Sequence, residues 1–326
     1  MPEKKSRILY IKKYLMEHTD EAHPATMSDI LSYLSDVGIS AHQRTVISDI
    51  EQLIESGVDI VINRSRHNQY FIGDGHFEMP ELKLLIDAAQ ASRFLSAKRS
   101  RALINKLLSL TSRHNAESLK CGLPAGEYVK PTNENAYIAA NILLTAINEK
   151  KLVHFMYHEY TPMKKKVYKH GRRVYELSPW HLAWDSDKYY VIGYSKHHSK
   201  GIKFRVDRIA SPKMTDLPAI PAPDDFNLAE YVKSVFQMYD GALLEVTLQC
   251  KNDFMKTIVD RFGEDVETSI ADDEHFNAKV KVHASKTFYG WLFGMDGAVR
   301  IIAPDEAIIT YSDMIKTAAS ITIKKD

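Results

Sequence analysis

The sequence predicts an α+β chain of several domains, and three observations predict it. At 326 residues the chain is longer than one ordinary domain. The spacing of its apolar residues is helical over most of residues 1–149, apart from one hairpin, changes to a period of two after residue 149, and alternates between the two from residue 240. Its charge is partitioned. The overall net of +1 conceals −2 over residues 1–72, +1 over 73–149, +10 over 150–213 and −8 over 214–326. The expected divisions are a helical head with a hairpin (1–73), a helical connector and loop (74–134), a strand-rich domain (135–215), a linker (216–239) and a C-terminal domain of both strands and helices (240–326).

The head reads as three helices and a hairpin. RILYIKKYLME, residues 7–17, places Ile8, Ile11, Tyr14 and Leu15 on one stripe. Pro24-Ala25-Thr26 opens a second helix, MSDILSYLSDV, with Met27, Ile30, Leu31 and Leu34 inward and Gly38 at its end. Ser40 is the expected N-cap of a third, AHQRTVISDIEQLIES, with Val46, Ile50, Leu53 and Ile54 inward and Gly57 as its stop. VDIVINR and NQYFIG then alternate around Arg64-Ser65-Arg66-His67, which predicts a hairpin.

Three helices and a hairpin make a winged helix-turn-helix, whose third helix enters the DNA major groove led by its N-terminal residues. The candidate contacts are therefore Ser40, His42, Gln43, Arg44, Thr45 and Ser48, with Arg64 and Arg66 at the wing tip. None of the leading residues is acidic. Asp49, Glu51 and Glu55 come later along the helix. The alternative is a small helical domain that binds protein, and the segment's net −2 favours it. SAHQRTVISDIEQLIESGVDI resembles the recognition helix of DeoR-like bacterial regulators at Ser40, Arg44, Thr45, Val46, Asp49, Ile50, Leu53 and Gly57. Ser48 stands where that family commonly has an arginine.

Residues 78–113 predict a pair of amphipathic helices, with Leu82, Leu85, Ile86 and Ala89, then Leu103, Ile104, Leu107 and Leu108, on their apolar faces. They suit a spacer or a dimerisation arm. Gly122, Pro124, Gly126 and Pro131 mark a loop. After a further helix at 135–149, the strands read LVHFMYH, KKKVYKH, RRVYELSP, HLAWD, KYYVIGYS and IKFRVDRI, with turns at His170-Gly171 and Asp185-Ser186-Asp187. Five or six short meandering strands predict a small barrel.

Fifteen Lys and Arg against five Asp and Glu lie in residues 150–213, with six His and eleven aromatics. Such a field favours an anionic partner, nucleic acid above all, unless the acidic C-terminal region neutralises it by docking. Ser178-Pro179-Trp180, Leu182, Tyr189-Tyr190-Val191, Gly193 and Phe204 to Ile209 resemble a WYL domain, an SH3/Sm-like barrel; the similarity spans about residues 135–212. Trp180, Val191, Phe204 and Ile209 are expected in its core. Tyr157, His181, Tyr190, Arg205 and Arg208 are the candidate effector-binding set, because arginine forks onto phosphate and tyrosine stacks on bases. The competing reading pairs Arg205 and Arg208 with acids such as Asp207 or Asp185.

LPAIPAP, 217–223, is expected to be a linker. Residues 240–326 then read as βαββαβ and a final helix near Tyr311–Ser320: a ferredoxin-like pattern that resembles the C-terminal extension of the same regulators.

No catalytic constellation emerges. Residues 156–160 are MYHEY rather than HExxH, His197-His198 has no partner of metal-site type, and no P-loop or GxSxG is present. No metal or cofactor is expected. Cys121 and Cys250 have no ligand or disulfide spacing, and no apolar run approaches the roughly 18 residues that span a bilayer, which predicts a cytoplasmic protein without a membrane partner. The resemblances imply a bacterial transcription regulator. It would bind a double-stranded operator as a homodimer and sense a nucleic-acid or nucleotide effector at the barrel. The alternatives are a single-strand nucleic-acid-binding accessory factor of defence or repair and an enzyme of nucleotide metabolism.

Overall fold

The computed structural model describes residues 2–64, 66–73, 77–121, 130–131, 134–196, 200–235, 239 and 241–322, in two compact units, Met1–Glu134 and Asn135–Asp326. Ser65, His197, His198 and most of the loop after Cys121 lie outside the described residues.

The first unit begins with α1 (Pro2–His18), a short strand β1 (Ala25–Thr26), α2 (Met27–Asp36) and α3 (Gln43–Glu55). β2 (Ile60–Asn63) and β3 (Gln69–Ile72) pair antiparallel, and β1 adds to β3. Ile11, Leu15, Ile30, Leu34, Val46, Ile50 and Leu53 fuse into one core beneath this sheet. Thr26 starts α2 through a capping box: its hydroxyl accepts from the Asp29 N–H, and the Asp29 carboxylate accepts from the Thr26 N–H at 2.8 Å.

Two expectations for α3 are corrected. His42, not Ser40, holds the N-cap position, and no side chain caps the helix there, because Ala41 packs inward on the core and leaves Ser40 exposed outside the helix. Ile54 faces solvent, one position beyond the stripe that Leu53 occupies.

The connector has three helices rather than two: α4 (Met79–Ala91), α5 (Ala97–Leu108) and α6 (Arg113–Cys121). Leu82, Ile86, Ala89, Ile104, Leu108, Ala116 and Leu119 form its core. Leu85 and Leu103 sit at the edge of their stripes and are exposed.

The second unit starts with α7 (Asn135–Asn148), which packs on β4 (Lys151–Tyr160) and on the barrel it begins. There follow β5 (Lys166–Tyr168), β6 (Tyr175–Asp185), β7 (Lys188–Ser195), β8 (Lys200–Arg205), a 3-10 turn at Val206–Arg208 and β9 (Ile209–Pro218). The order β9-β4-β6-β7-β8, with β5 extending β4, returns the last strand to the first after one 3-10 turn. This is the SH3/Sm-like meander. Its interior holds Val153, Phe155, Leu177, Val191, Phe204, Val206 and Ile209.

RRVYELSP and HLAWD form one strand, β6, with a bulge between Pro179 and His181. Gly193 sits opposite that bulge, where a Cβ would strike the Ser178 carbonyl oxygen. Ile209 breaks the alternation of Phe204 and Val206 because the 3-10 turn intervenes.

LPAIPAP is not a free spacer. β9 runs into it as far as Pro218, the Ile220 N–H donates to Ser178 Oγ at 3.0 Å, and Trp180 Nε1–H donates to the Ile220 carbonyl at 2.9 Å. The chain then forms α8 (Leu228–Ser234), and Phe226, Leu228, Tyr231, Val232 and Val235 cover the outer barrel face around Ala183, Tyr190 and Ile192. Trp180 therefore packs under this strap rather than in the barrel interior.

β10 (Ala242–Lys251), α9 (Met255–Phe262), β11 (Glu267–Ile270), β12 (His275–Ala284), α10 (Lys286–Phe293), β13 (Val299–Ala303) and α11 (Asp305–Thr322) complete the chain. The antiparallel order β11-β12-β10-β13 is ferredoxin-like. Val246, Leu248, Cys250, Val280, Val282 and Phe288 are among its core, and burial pushes the Cys250 thiol up to about 12. No described helix is long and apolar enough to cross a membrane, and no group of three His, Cys, Asp or Glu among the described residues is placed to hold a metal ion.

Candidate functional site

Two surfaces carry the residues singled out in the sequence. On α3 the helical period sorts charge outward. Val46, Ile50 and Leu53 face the core; His42, Gln43, Arg44 and Ser48 are exposed, and Thr45 is half-buried. The first turn holds no acid. Asp49 points the other way: it is 1% exposed and takes Arg7 of α1, itself 8% exposed, through Nε at 2.5 Å and Nη2 at 3.2 Å. The acid closest to the leading residues is thus consumed inside the fold. No side chain caps α3, and the Thr45 N–H turns back to the His42 carbonyl at 2.9 Å. Arg64 and Arg66 are exposed in the β2–β3 hairpin.

The barrel surface is built differently. Cross-strand register puts Ala183, Tyr190 and Arg205 on one line and His181, Ile192 and Lys203 on the next, all on the outer face. Leu182, Val191 and Phe204 face the interior. Tyr190 is 9% exposed beneath Val235, and burial raises its pKa. His181 stacks on Phe226 with ring centroids 5.8 Å apart. Tyr157 belongs to the interior aromatic cluster, edge-on to Phe204 at 5.3 Å and Tyr175 at 6.1 Å. Its hydroxyl nevertheless reaches the rim and accepts the Arg205 backbone N–H at 3.2 Å.

Arg205 forks onto Asp207, Nε to Oδ1 at 3.1 Å and Nη2 to Oδ2 at 2.7 Å. Burial alone would raise the Asp207 carboxyl, but the Arg205 hydrogen bonds and charge outweigh it and hold the carboxyl below its usual range. The same hydrogen bonding raises Arg205. Arg208 sits in the 3-10 turn with its Nε buried and without a hydrogen-bond partner. An orphaned buried donor costs about 1–3 kcal/mol. One oxygen of Asp185 is orphaned likewise.

Tyr157, Tyr190, Arg205, Asp207 and Arg208 are thus electrostatic neighbours around one rim, while His181 lies along the same face under the strap. Phe226 and Tyr231 were not legible as part of this surface, since they lie in a stretch whose prolines read as a spacer. Asp207 was legible as a partner of Arg205, as the competing reading had it, although it stands in the 3-10 turn rather than on the strand.

Residues 139–214 match the family model described as WYL domain. A search of curated proteins returned no match. Among solved structures, the proteasome accessory factor B/C (PafBC) of Arthrobacter aurescens is similar at 17% identity over 98% of this chain, with a TM-score of 0.30; this chain spans 47% of that one.

Proposed function

From a chain whose residues 139–214 are a WYL domain, we propose a DNA-binding transcription regulator. The winged helix binds a double-stranded operator through Ser40, His42, Gln43, Arg44, Thr45, Ser48, Arg64 and Arg66. The WYL domain binds a nucleic-acid or nucleotide effector at Tyr157, His181, Tyr190, Arg205 and Arg208. The observation that carries the reading is the sorting on α3, where Asp49 is spent on Arg7 and the exposed leading turn is free of acid. At the barrel, the half-buried Arg208 beside Arg205 and Tyr157 supports an anionic ligand at the rim.

A homodimer belongs to the same proposal, because helix-turn-helix proteins commonly bind two half-sites symmetrically. Exposed Leu84 on α4 and Ile309 and Ile321 on α11 support it. A scattering mass near 37.2 kDa with and without operator would count against it.

The test is a gel shift of the full chain on duplexes from its own promoter region, with and without short oligonucleotides. Arg44→Ala with Gln43→Ala should weaken specific binding by about 1–3 kcal/mol if a base edge is read. Unchanged duplex affinity overturns the operator assignment. An effector that couples to DNA should change its affinity by about 5–150-fold, reciprocally. The +10 segment keeps a second reading in play, a single-strand-binding accessory factor of defence or repair. Tight single-strand binding that survives deletion of residues 1–72 would favour it.

A further inference from the structure

The winged-helix head meets the connector at a pair of stacked imidazoles that the function proposed above does not use. His23, in the turn after α1, and His114, in the first turn of α6, lie face to face, with ring centroids 3.8 Å apart and planes 11° from parallel. Asp20 builds the turn beneath them. Its Oδ1 accepts from His23 Nδ1 at 2.8 Å and from the backbone N–H groups of Ala22 and His23 at 3.1 and 2.9 Å. Its Oδ2 accepts from Ser112 Oγ at 2.5 Å, and that buried hydroxyl accepts the Asn115 N–H at the start of α6. Burial would raise the Asp20 carboxyl, but hydrogen bonds from Ser112 and His23 outweigh it and hold it below its usual range. An ionised carboxylate only accepts, so His23 Nδ1 carries the proton and Nε2 is the nitrogen left to take up another.

The charges around the pair are mixed. α1 brings Glu17, whose carboxylate lies 4.0 Å from Lys13 and 4.0 Å from Arg113, and His18, which packs on Tyr14 and Tyr33 rather than on the pair. Burial pushes the His18 pKa down, Arg113 and His114 push the same way, and Glu17 opposes them. Glu21 and Glu117 are exposed, and Lys12, Asp59 and Glu78 edge the crevice on the other side of Asp20. One proton on the pair is favoured, since Asp20 faces His23. A second sets two like charges ring on ring, and among the described residues no carboxylate pairs with His114. His23 is also tied to the head. Two residues on, Ala25 pairs with Tyr70 of β3, and Thr26 caps α2.

We propose that the His23–His114 stack is a proton-operated latch between the head and the connector. It stays shut with at most one proton on the two rings. A second proton parts them and frees the turn that leads into β1 and α2. The open junction binds more protons than the shut one, so the latch loosens as pH falls.

The test is amide hydrogen exchange of the full chain from about pH 7.5 down to about pH 5.5, the range in which imidazoles change charge, corrected for the intrinsic pH dependence of exchange. Residues 20–26 and 113–117 should lose protection by about threefold or more, while the C-terminal domain keeps its own. His114→Phe, at an exposed position, leaves a flat ring on His23 that cannot take a proton, and its junction should keep its protection throughout. His18→Phe should respond as the wild type does.

Unchanged protection in the wild type overturns the latch. So does a response that survives in His114→Phe or is lost in His18→Phe. None of these readouts needs DNA, so they decide the latch even if no duplex binds and the operator reading falls.

Discussion

α3 and the 205–208 end of the barrel both offer arginine, and they dispose of the neighbouring acid in opposite ways. On α3 the acid turns inward: Asp49 is buried against Arg7, and Arg44 is left exposed. On the barrel the acid stays beside the arginine: Asp207 clamps Arg205, and Tyr190 lies under the strap. The difference follows from local geometry. Five positions on a helix separate Arg44 from Asp49 by about 500°, which puts them on nearly opposite faces. Asp207 stands in the 3-10 turn directly after the strand that ends at Arg205, and there its carboxylate meets the Arg205 guanidinium. The head therefore leaves Arg44 exposed, whereas among the described residues of the barrel rim only Arg208 keeps a buried donor without a partner.

The sharpest way to break the contrast is Asp49→Ala. It strands the Arg7 guanidinium in the core, and losing one partner of a buried pair costs about 3–5 kcal/mol. Hydrogen exchange across α1 and α3, with urea unfolding of the full chain, measures it. A loss under about 1 kcal/mol would mean that Asp49 is not what keeps α3 clear of acid. Arg7→Met added to Asp49→Ala should recover most of the loss.

On the barrel side, Phe226→Ala removes the ring on which His181 and Trp180 pack. About 2 kcal/mol is expected for a half-buried aromatic, below the 3–5 of a fully buried one. Iodide quenching of Trp180 should rise with it. Unchanged quenching would show that the strap does not depend on this ring. Thr26→Ala tests the head again at smaller scale: loss of the α2 capping box should cost about 1 kcal/mol without altering the α3 surface.

The smallest effect is the acid dependence of the Asp207 clamp. Its folded pKa is depressed, so its contribution is present above the unfolded value of about 4 and is lost as pH falls through the lower folded value. Both partners are nearly one-third exposed, so the effect should stay under about 1 kcal/mol. Asp207→Asn should flatten the stability profile below about pH 4 and leave neutral stability lower by that amount. A profile identical to the wild type would remove the clamp from the comparison.

The helical head was readable because its core stripe and its exposed face are both local. Ile11, Leu15, Ile30, Leu34, Val46 and Ile50 are buried where the 3.6-residue period puts them. The misreadings there are edge effects: Ser40 two residues too early, and Ile54 one position off the stripe. The barrel's turns were readable, down to the left-handed Ser186 and Asp187 of the β6–β7 turn, but its strand bounds less so: RRVYELSP and HLAWD are one strand, IKFRVDRI is cut by the 3-10 turn, and β9 was not expected. What local pattern could not supply was the partner of each outer face.

Residue order by itself determined the element types, the βαββαβ run, the +10 field and the residue set of α3, because these depend on periods and charges carried within a few residues. Only the tertiary structure decided that a proline-rich stretch folds back over Tyr190 and Ile192, that Trp180 belongs to that strap, and that the Tyr157 hydroxyl meets Arg205 across 48 residues of chain. Those contacts join segments whose own patterns are silent about each other. They form because an outward apolar face on a barrel must be covered by whatever chain lies within reach.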